Sequence, residues 1–205
     1  MGFYASRVFP RLMNALMSAG TFSSIRREAL AGVEGDTLEI GFGTGLNLPH
    51  YPPALGRLAA IDINPGMSRI AMERIRKSGR DVDFRILDGP SLPYDDASFD
   101  SVVSTWTLCS ISDLPAALAE VCRILKPDGR FFFVEHGLGP EPHIRKWQHR
   151  CTPLQMRIAG GCHLNRDIGE CLRQAGFSIG RLETFYMEKA PRIAGFLYAG
   201  FAVRP

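Results

Sequence analysis

A short apolar strand runs directly into three glycines at alternate positions, because residues 38–47 read LEIGFGTGLN. A strand followed by a glycine-rich turn is typical of α/β folds that bind a nucleotide-like ligand at the carboxyl ends of their strands. Dinucleotide-binding folds use the spacing G-x-G-x-x-G, and here Leu46 takes the place of the third glycine. Glu39 stands just upstream. A carboxylate repels phosphate and attracts a cation, so the loop favours a nucleoside ligand that carries an amine, such as S-adenosylmethionine.

Strand-like and helix-like segments alternate from residue 35 onward, which predicts a mostly parallel sheet covered by helices on both faces. The predicted strands are 37–40, 58–61, 83–86, 101–104, 130–135, 179–183 and 197–202. The predicted helices are 66–77, 114–125 and 166–175, and the stop signals Lys126-Pro127-Asp128-Gly129 and Gly176 follow the last two.

The last two strands are separated by a connection too short for a helical crossover. The turn that separates them is KAPRI, at 189–193. A parallel pair needs a crossover of a dozen or more residues, so these strands must form a hairpin in which one strand runs antiparallel.

Composition narrows the class of protein. The 205 residues are 45% hydrophobic with a formal net charge of +3, which fits a single domain with a full core. The basic residues are scattered, which disfavours nucleic-acid binding. The five cysteines, at 109, 122, 151, 162 and 171, form no C-x-x-C pair, so we expect reduced thiols in a cytoplasmic protein and no metal site. No apolar stretch is long enough to predict a transmembrane span.

The N-terminal segment is predicted to form an amphipathic helix. Apolar residues recur at helical spacing at 8, 9, 12, 13, 16 and 17, and Pro10 fits the first turn. We expect this helix to pack on the domain as a lid. Two nearby arginines allow only weak contact with a membrane surface.

Over residues 35–205 the chain resembles the class I S-adenosylmethionine-dependent methyltransferases. The likeness is carried by Glu39 with the three glycines, by Asp62 after AAI, and by Asp88-Gly89. It implies a Rossmann-like methyltransferase fold, with seven strands, strand 7 antiparallel and helices on both faces. It also implies one domain, in which residues 1–34 form the helical lid, 35–136 the cofactor-binding half, and 137–205 the acceptor-binding segment and C-terminal hairpin.

The resemblance implies roles for individual cofactor-binding residues. The glycine backbone would approach the methionyl part of S-adenosylmethionine while Glu39 holds its amino end. Asp62 would accept both ribose hydroxyls, although it also fits a helix N-cap, for which Asn64 before Pro65 is better suited. Asp88 would take the adenine amine, although it also fits a turn. The full cofactor set is Glu39, Gly41, Gly43, Gly45, Asn47, Asp62, Ile63, Met67, Asp88, Gly89 and Thr105, with Ile63 and Met67 flanking the adenine.

Three further segments give a narrower likeness, to the small thiol S-methyltransferases. They are TWTLCSI at 105–111, EVCRILKP at 120–127 and VEHG at 134–137, and Trp147-Gln148, Pro153 and GCHLNRD at 161–167 accompany them. Animal members of that group carry an N-terminal membrane helix, whereas this segment is only short and amphipathic. The likeness implies a small-molecule acceptor, with S-adenosylhomocysteine as the product of the cofactor, and says nothing of oligomeric state.

A thiol acceptor gains from a base or a positive charge, because its pKa of about 8.5 leaves only a few per cent ionised at pH 7. The first catalytic candidate is His136, at the carboxyl end of the fifth strand, where ligands of α/β sheets bind. His149 and His163 are further candidates, and each of the three also fits a structural histidine. The predicted acceptor-binding residues are Trp106, Cys109, Trp147 and Asn165.

Alternative functions remain open at this level. A phospholipid or small-amine N-methyltransferase would use the same cofactor residues and the amphipathic N-terminal helix. Cys109 and Cys162 allow an arsenite methyltransferase, although Cys109 also fits an inert buried cysteine. A protein that binds S-adenosylmethionine without transferring its methyl group would keep the same motifs.

Overall fold

The computed structural model describes residues 3–87 and 91–204. The strands are β1 (Thr37–Ile40), β2 (Leu58–Asp62), β3 (Val82–Ile86), β4 (Phe99–Thr105), β5 (Leu125–His136), β6 (Ser178–Tyr186) and β7 (Phe196–Val203). The helices are α1 (Phe9–Met17), α2 (Gly20–Leu30), α3 (Ser68–Ser78), α4 (Leu114–Ile124), α5 (Pro142–Ile158), α6 (Ile168–Gln174) and α7 (Arg192–Gly195). A π-helical turn at Tyr4–Val8 precedes α1, and a 3-10 turn lies at Leu48–His50.

The strands form one seven-stranded sheet in the order β3-β2-β1-β4-β5-β7-β6. Strands β1 to β5 are parallel, and β7 runs antiparallel to both β5 and β6. The predicted fold and the predicted C-terminal hairpin are therefore confirmed. The parallel order brings the carboxyl ends of β1, β4 and β5 side by side at one edge of the sheet.

The sheet is buried on both faces, as a helix-covered sheet must be. Phe131 and Phe133 of β5 belong to one core cluster, whereas Phe132 between them belongs to the other. Val102 and Val103 of β4 divide in the same way. Adjacent residues of the central strands therefore serve opposite layers, which accounts for their nearly continuous apolar sequences.

Some predicted boundaries and elements were wrong. Strand β5 begins at Leu125 rather than 130, because Leu125 already has extended dihedrals, and the predicted stop signal lies within the strand. Helix α5 was missed: its buried residues are Ile144, Gln148 and Thr152, so the inward stripe is largely polar, and Pro153 lies inside the helix. Helix α2 lies within residues 1–34, which were predicted to be helical, but it was not predicted as a separate helix.

Only half of the apolar stripe at residues 8–17 packs against the rest of the domain. In α1 Phe9, Met13 and Met17 are partly buried, whereas Val8, Leu12 and Leu16 are 42–56% exposed. Asn14 supplies polar contacts instead, because its side-chain oxygen accepts hydrogen bonds from Thr44 and Arg74. The inner half of the stripe therefore packs on the domain, and the role of the helix as a lid stays a prediction.

Within the described residues, no helix is both long and apolar enough to cross a membrane.

Helix α5 is fastened to the sheet by one buried amide side chain. Gln148 is fully buried and accepts a hydrogen bond from Gly139 N at 2.9 Å. Its Nε2 donates to Gly137 O at 2.9 Å and to Ile193 O at 3.1 Å. One side chain thus joins α5 to the segment after β5 and to the connection between β6 and β7.

Replacing Gln148 should destabilise the protein strongly, because Gln148→Ala leaves one buried donor and two buried acceptors without these partners. We expect the free energy of unfolding to fall by about 3 kcal/mol, measured by chemical denaturation. Lys146→Ala, at an exposed position of the same helix, is the control and should change it by less than about 0.5 kcal/mol. Equal effects of the two substitutions would contradict this role of Gln148.

Candidate functional site

The glycine loop after β1 turns sharply at three positions. Gly41, Gly43 and Gly45 have φ values of +74°, +58° and +78°, which favour glycine. A Cβ at Gly41 would lie 2.0 Å from Oγ1 of Thr107, so this glycine also permits close packing against the segment after β4. A Cβ at Gly43 would meet nothing nearer than Gly41 O at 3.9 Å. The loop therefore keeps open space beside Gly43, where a ligand can approach the backbone.

Glu39 of β1 lies at the centre of a buried hydrogen-bond network. Its two carboxyl oxygens accept from Tyr51 Oη at 2.7 Å and from Asn47 Nδ2 at 2.9 Å. Asn47 Nδ2 also donates to Thr105 Oγ1 at 3.0 Å, at the end of β4. Burial raises the pKa of Glu39 to about 8, against the opposing effect of these hydrogen bonds. Among the described residues, the Oδ1 atom of Asn47 has no hydrogen-bond partner although it is buried.

Asp62 closes the glycine loop from the end of β2. Its carboxyl oxygens accept from Gly43 N and Asn64 N, both at 2.7 Å, and the residue is 9% exposed. Burial raises its pKa, and the two backbone hydrogen bonds oppose that shift. Met67 is the N-cap of α3, which has no side-chain cap, and Asn64 Oδ1 accepts from Gly66 N in the preceding turn. Asp62 therefore does not cap this helix, and that alternative is excluded.

The other predicted cofactor residues differ in how far they are buried. Met67 is 8% exposed, whereas Ile63 is 59% exposed beside Asp62. Asp88 and Gly89 lie outside the described residues. Thr105 takes part in the Glu39 network through Asn47.

Helix α2 adds a buried cation that sequence reasoning missed. Arg26 is 4% exposed, and its Nη1 donates to Met17 O at 2.9 Å. Its guanidinium lies 4.8 Å from the ring centroid of Trp106, and Phe22 packs edge-on against the same ring. Burial lowers the pKa of Arg26 to about 10, while the charge of Glu39 acts in the opposite direction. A single arginine in an amphipathic helix carries no sequence signal for this placement.

Trp106 lies directly after β4 with a left-handed backbone, at φ +51°. This conformation is uncommon for a bulky residue and marks a turn held by its surroundings. The Trp106 amide donates to Val134 O of β5 at 2.7 Å. The ring predicted to line the acceptor site therefore packs against α2, while the backbone amide ties the residue to β5.

Three buried side chains meet near the carboxyl end of β5: Cys109, His136 and Cys162. We call them the Cys-His-Cys cluster. His136 Nε2 and Cys162 Sγ are hydrogen-bonded at 2.8 Å, and the potential ligand atoms of all three lie within 4.8 Å of one another. The residues come from the loop after β4, the end of β5 and the loop between α5 and α6. No local spacing in the sequence joins them.

The two thiols of the cluster have opposite acid strengths. A hydrogen bond from Cys109, helped by His136, holds the pKa of Cys162 well below its usual range despite burial. The same hydrogen bond, together with burial, raises the pKa of Cys109. Burial alone would lower the pKa of His136, but the hydrogen bond and charge of Cys162 outweigh it and raise the pKa. Cys162 is therefore the stronger acid of the pair.

A second buried carboxyl group supports this cluster from β5. Glu135 is fully buried and accepts from Ser104 Oγ at 2.9 Å, from Thr107 N at 2.9 Å and from Cys109 N at 3.5 Å. Burial raises its pKa against these hydrogen bonds. Sequence reasoning missed Glu135, although its position one residue before the end of a central strand is the signal that identified Glu39.

The remaining predicted residues lie around the cluster rather than in it. His163 is partly buried, and its Nδ1 lies 3.1 Å from Cys109 O. His149 is exposed on α5 and pairs with Asn165 Nδ2 at 2.9 Å. Trp147 is 56% exposed on α5, with Arg150 over its ring. The structure thus brings His136, Cys109 and His163 together, and it does not bring Trp147 or His149 to them.

The two groups of residues have different binding chemistry. The loop side offers a buried carboxyl group, an unpartnered amide oxygen and an open glycine backbone, which fit an amine-bearing nucleoside. The Cys-His-Cys cluster offers soft sulfur and nitrogen donors. Thr107 and Cys109 lie in the segment that connects them.

Comparison with known proteins identifies the family of the chain. A family model described as a methyltransferase domain matches residues 38–133. Human thiol S-methyltransferase TMT1A is 34% identical over 163 residues, which are 77% of this chain and 66% of that protein. Human thiol S-methyltransferase TMT1B is 33% identical, over 83% of this chain and 75% of that protein. A ubiquinone/menaquinone biosynthesis C-methyltransferase of Acidiphilium cryptum is 31% identical, over 79% of this chain and 70% of that protein.

A solved S-adenosylmethionine-dependent methyltransferase of Aquifex aeolicus has the same fold, with a TM-score of 0.68 at 20% identity, covering 96% of this chain and 98% of that one. Sequence similarity to methyltransferases over most of the chain, together with this fold, establishes the family. The chain belongs to the class I S-adenosylmethionine-dependent methyltransferases, and S-adenosylmethionine is its cofactor.

Proposed function

We propose that this enzyme transfers the methyl group of S-adenosylmethionine to the sulfur of a small thiol. The observation that carries the proposal is the similarity to two human thiol S-methyltransferases, which extends over 77% and 83% of the chain. The matched lengths reach beyond the methyltransferase domain at 38–133 into the rest of the chain. The five free cysteines suit a reducing compartment, and we infer that the protein works in the cytoplasm.

We assign the cofactor to the glycine loop and the Glu39 network. Gly41, Gly43 and Gly45 would lie along its methionyl part, with Glu39 and Asn47 at its amino group. Asp62 would accept the ribose hydroxyls with the lone pairs that Gly43 N and Asn64 N do not use. Ile63, Met67, Asp88 and Gly89 would surround the adenine. When bound, S-adenosylmethionine supplies a methyl group on a positively charged sulfur.

We assign the acceptor to the Cys-His-Cys cluster near the carboxyl end of β5. A thiol becomes a strong nucleophile when it loses its proton, so its site must stabilise negative charge on sulfur. His136 is the catalytic residue best placed for this, because it is buried among sulfur atoms at the end of β5. His163 supports the loop of Cys109 rather than the reaction, and exposed His149 lies outside the site.

The direct test supplies methyl-labelled S-adenosylmethionine with a panel of acceptors. Small alkyl and aryl thiols should take the label, because the acceptor site favours soft nucleophiles. The other members of the panel are a small amine, phosphatidylethanolamine, arsenite and a demethylated quinone. Chromatography of the products identifies the labelled acceptor.

Asp62→Ala serves as the control for this assay, because it removes the carboxylate assigned to the ribose. It should lose cofactor binding and transfer together. Label that moves only to lipid, amine, arsenite or quinone would overturn the thiol assignment. Binding of S-adenosylmethionine with no transfer to any member would favour a non-catalytic protein.

Cofactor binding should release a proton from Glu39. The pKa of about 8 leaves this carboxyl group mostly protonated at pH 7 in the free protein, and a neighbouring ammonium group lowers the pKa on binding. We expect release of about 0.9 proton per cofactor at pH 7, and none in Glu39→Gln. Calorimetry in buffers of different ionisation enthalpy measures this number.

Asp128→Asn is the matched control, because Asp128 is an exposed carboxylate remote from the network. It should release the same number of protons as the native protein. Full proton release in Glu39→Gln would contradict the assignment of Glu39 to the amino group.

The raised pKa also affects stability. The free energy of unfolding falls as pH rises from about 4.5 to about 8, because in this range Glu39 is ionised in the unfolded chain but still protonated in the folded one.

A further inference from the structure

We propose that Cys109, His136 and Cys162 bind a zinc ion and leave its fourth coordination position for the sulfur of the acceptor. The ion would lie at the carboxyl end of β5. The metal site stands on the geometry of the three side chains alone. The role of the fourth position rests on the proposed thiol methylation.

The three donors have the chemistry and the spread that zinc requires. Zinc binds thiolate sulfur at about 2.3 Å and imidazole nitrogen at about 2.0 Å in tetrahedral geometry, so its ligand atoms lie roughly 3.5–3.8 Å apart. All three potential ligand atoms of the cluster lie within 4.8 Å of one another. His136 Nε2 and Cys162 Sγ, at 2.8 Å, would separate by roughly 0.7 Å to admit the ion. Magnesium and calcium favour oxygen donors, which the cluster lacks.

Burial gives the cluster the setting of a metal centre. Cys109, His136 and Cys162 are 2%, 9% and 7% exposed. Polar groups surround the sulfur atoms, with Ser110 Oγ 3.6 Å from Cys109 and Gln155 Nε2 3.6 Å from Cys162.

The number of protein ligands indicates the role of the ion. Structural zinc sites have four protein ligands, whereas catalytic sites have three and an open position. A thiol that coordinates zinc gives up its proton, which passes to solvent, and remains bound as a thiolate. The ion would thus hold the acceptor sulfur in its nucleophilic form at neutral pH.

The first experiment measures metal binding by the full chain in the presence of a phosphine reductant, which keeps Cys109 and Cys162 from forming a disulfide. We expect one zinc per chain, and at least roughly hundredfold weaker binding in Cys109→Ser, Cys162→Ser and His136→Ala. Competition with a chromophoric chelator gives the affinities. Cys151→Ser is the control, because Cys151 lies on α5 outside the cluster, and it should bind zinc as the native protein does.

Absence of stoichiometric zinc in the native chain would overturn the site without any variant. Equal affinity in the native chain and the three cluster variants, with circular dichroism confirming that they fold, would also overturn it. A rise in the unfolding temperature with zinc, seen in Cys151→Ser and lost in Cys162→Ser, would support it.

The second experiment tests the fourth position with Co²⁺ in place of zinc. Two cysteines give thiolate-to-cobalt absorption in the near ultraviolet, and a coordinated alkyl thiol should increase it about 1.5-fold, from two sulfur ligands to three. An alcohol of the same shape is the control and should leave the absorption unchanged. An unchanged spectrum with thiol would overturn the acceptor role. Because the cobalt spectrum needs no methyl transfer, a missing methylthioether product with an intact thiol response would instead count against the proposed function.

Discussion

The burial of Glu39 is the constraint on which the rest of the site depends. A carboxyl group in the core is tolerated only with hydrogen-bond partners, and those of Glu39 are Asn47 and Tyr51. Tyr51 and Asn47 hold the segment after the glycine loop against β1, and Asn47 also donates a hydrogen bond to Thr105 of β4. Arg26 brings α2 and Trp106 to the same place. The cofactor edge of the sheet is therefore organised around one acidic side chain.

Glu135 repeats this arrangement on the other side of β4. Both carboxyl groups lie one residue before the end of their strands, and β4 lies between those strands in the sheet. Glu39 reaches Thr105 through Asn47, whereas Glu135 accepts directly from the amides of Thr107 and Cys109. The segment after β4 is thus held from two sides. It carries Trp106, whose ring packs against Phe22 and Arg26 of α2, and Cys109 of the Cys-His-Cys cluster.

Local patterns in the sequence predicted the fold, and they singled out the glycine loop, Glu39 and Asp62, whose cofactor contacts stay a prediction. Each of these features can be recognised within a few residues: the glycine spacing, Asp62 after its strand, and the short connection at 189–193. The missed features depend on contacts between distant segments. Helix α5 turns Gln148 and Thr152 inward, so hydrophobic periodicity does not reveal it. Cys109, His136 and Cys162 come from three segments that only the order of the strands brings together. A local C-x-x-C pattern is therefore not needed to form such a cluster, and its absence from the sequence does not exclude one.

A crystal structure of the enzyme with S-adenosylhomocysteine and a small alkyl thiol would test the central claim, that the two sites meet for methyl transfer to sulfur. In-line transfer places the nucleophile roughly 3–3.5 Å from the methyl carbon, which is about 1.8 Å from the cofactor sulfur. We therefore expect the thiol sulfur beside His136 and Cys162, about 5 Å from the sulfur of S-adenosylhomocysteine. A thiol bound away from this cluster, or two sulfur atoms too far apart for one methyl group to bridge them, would contradict the account.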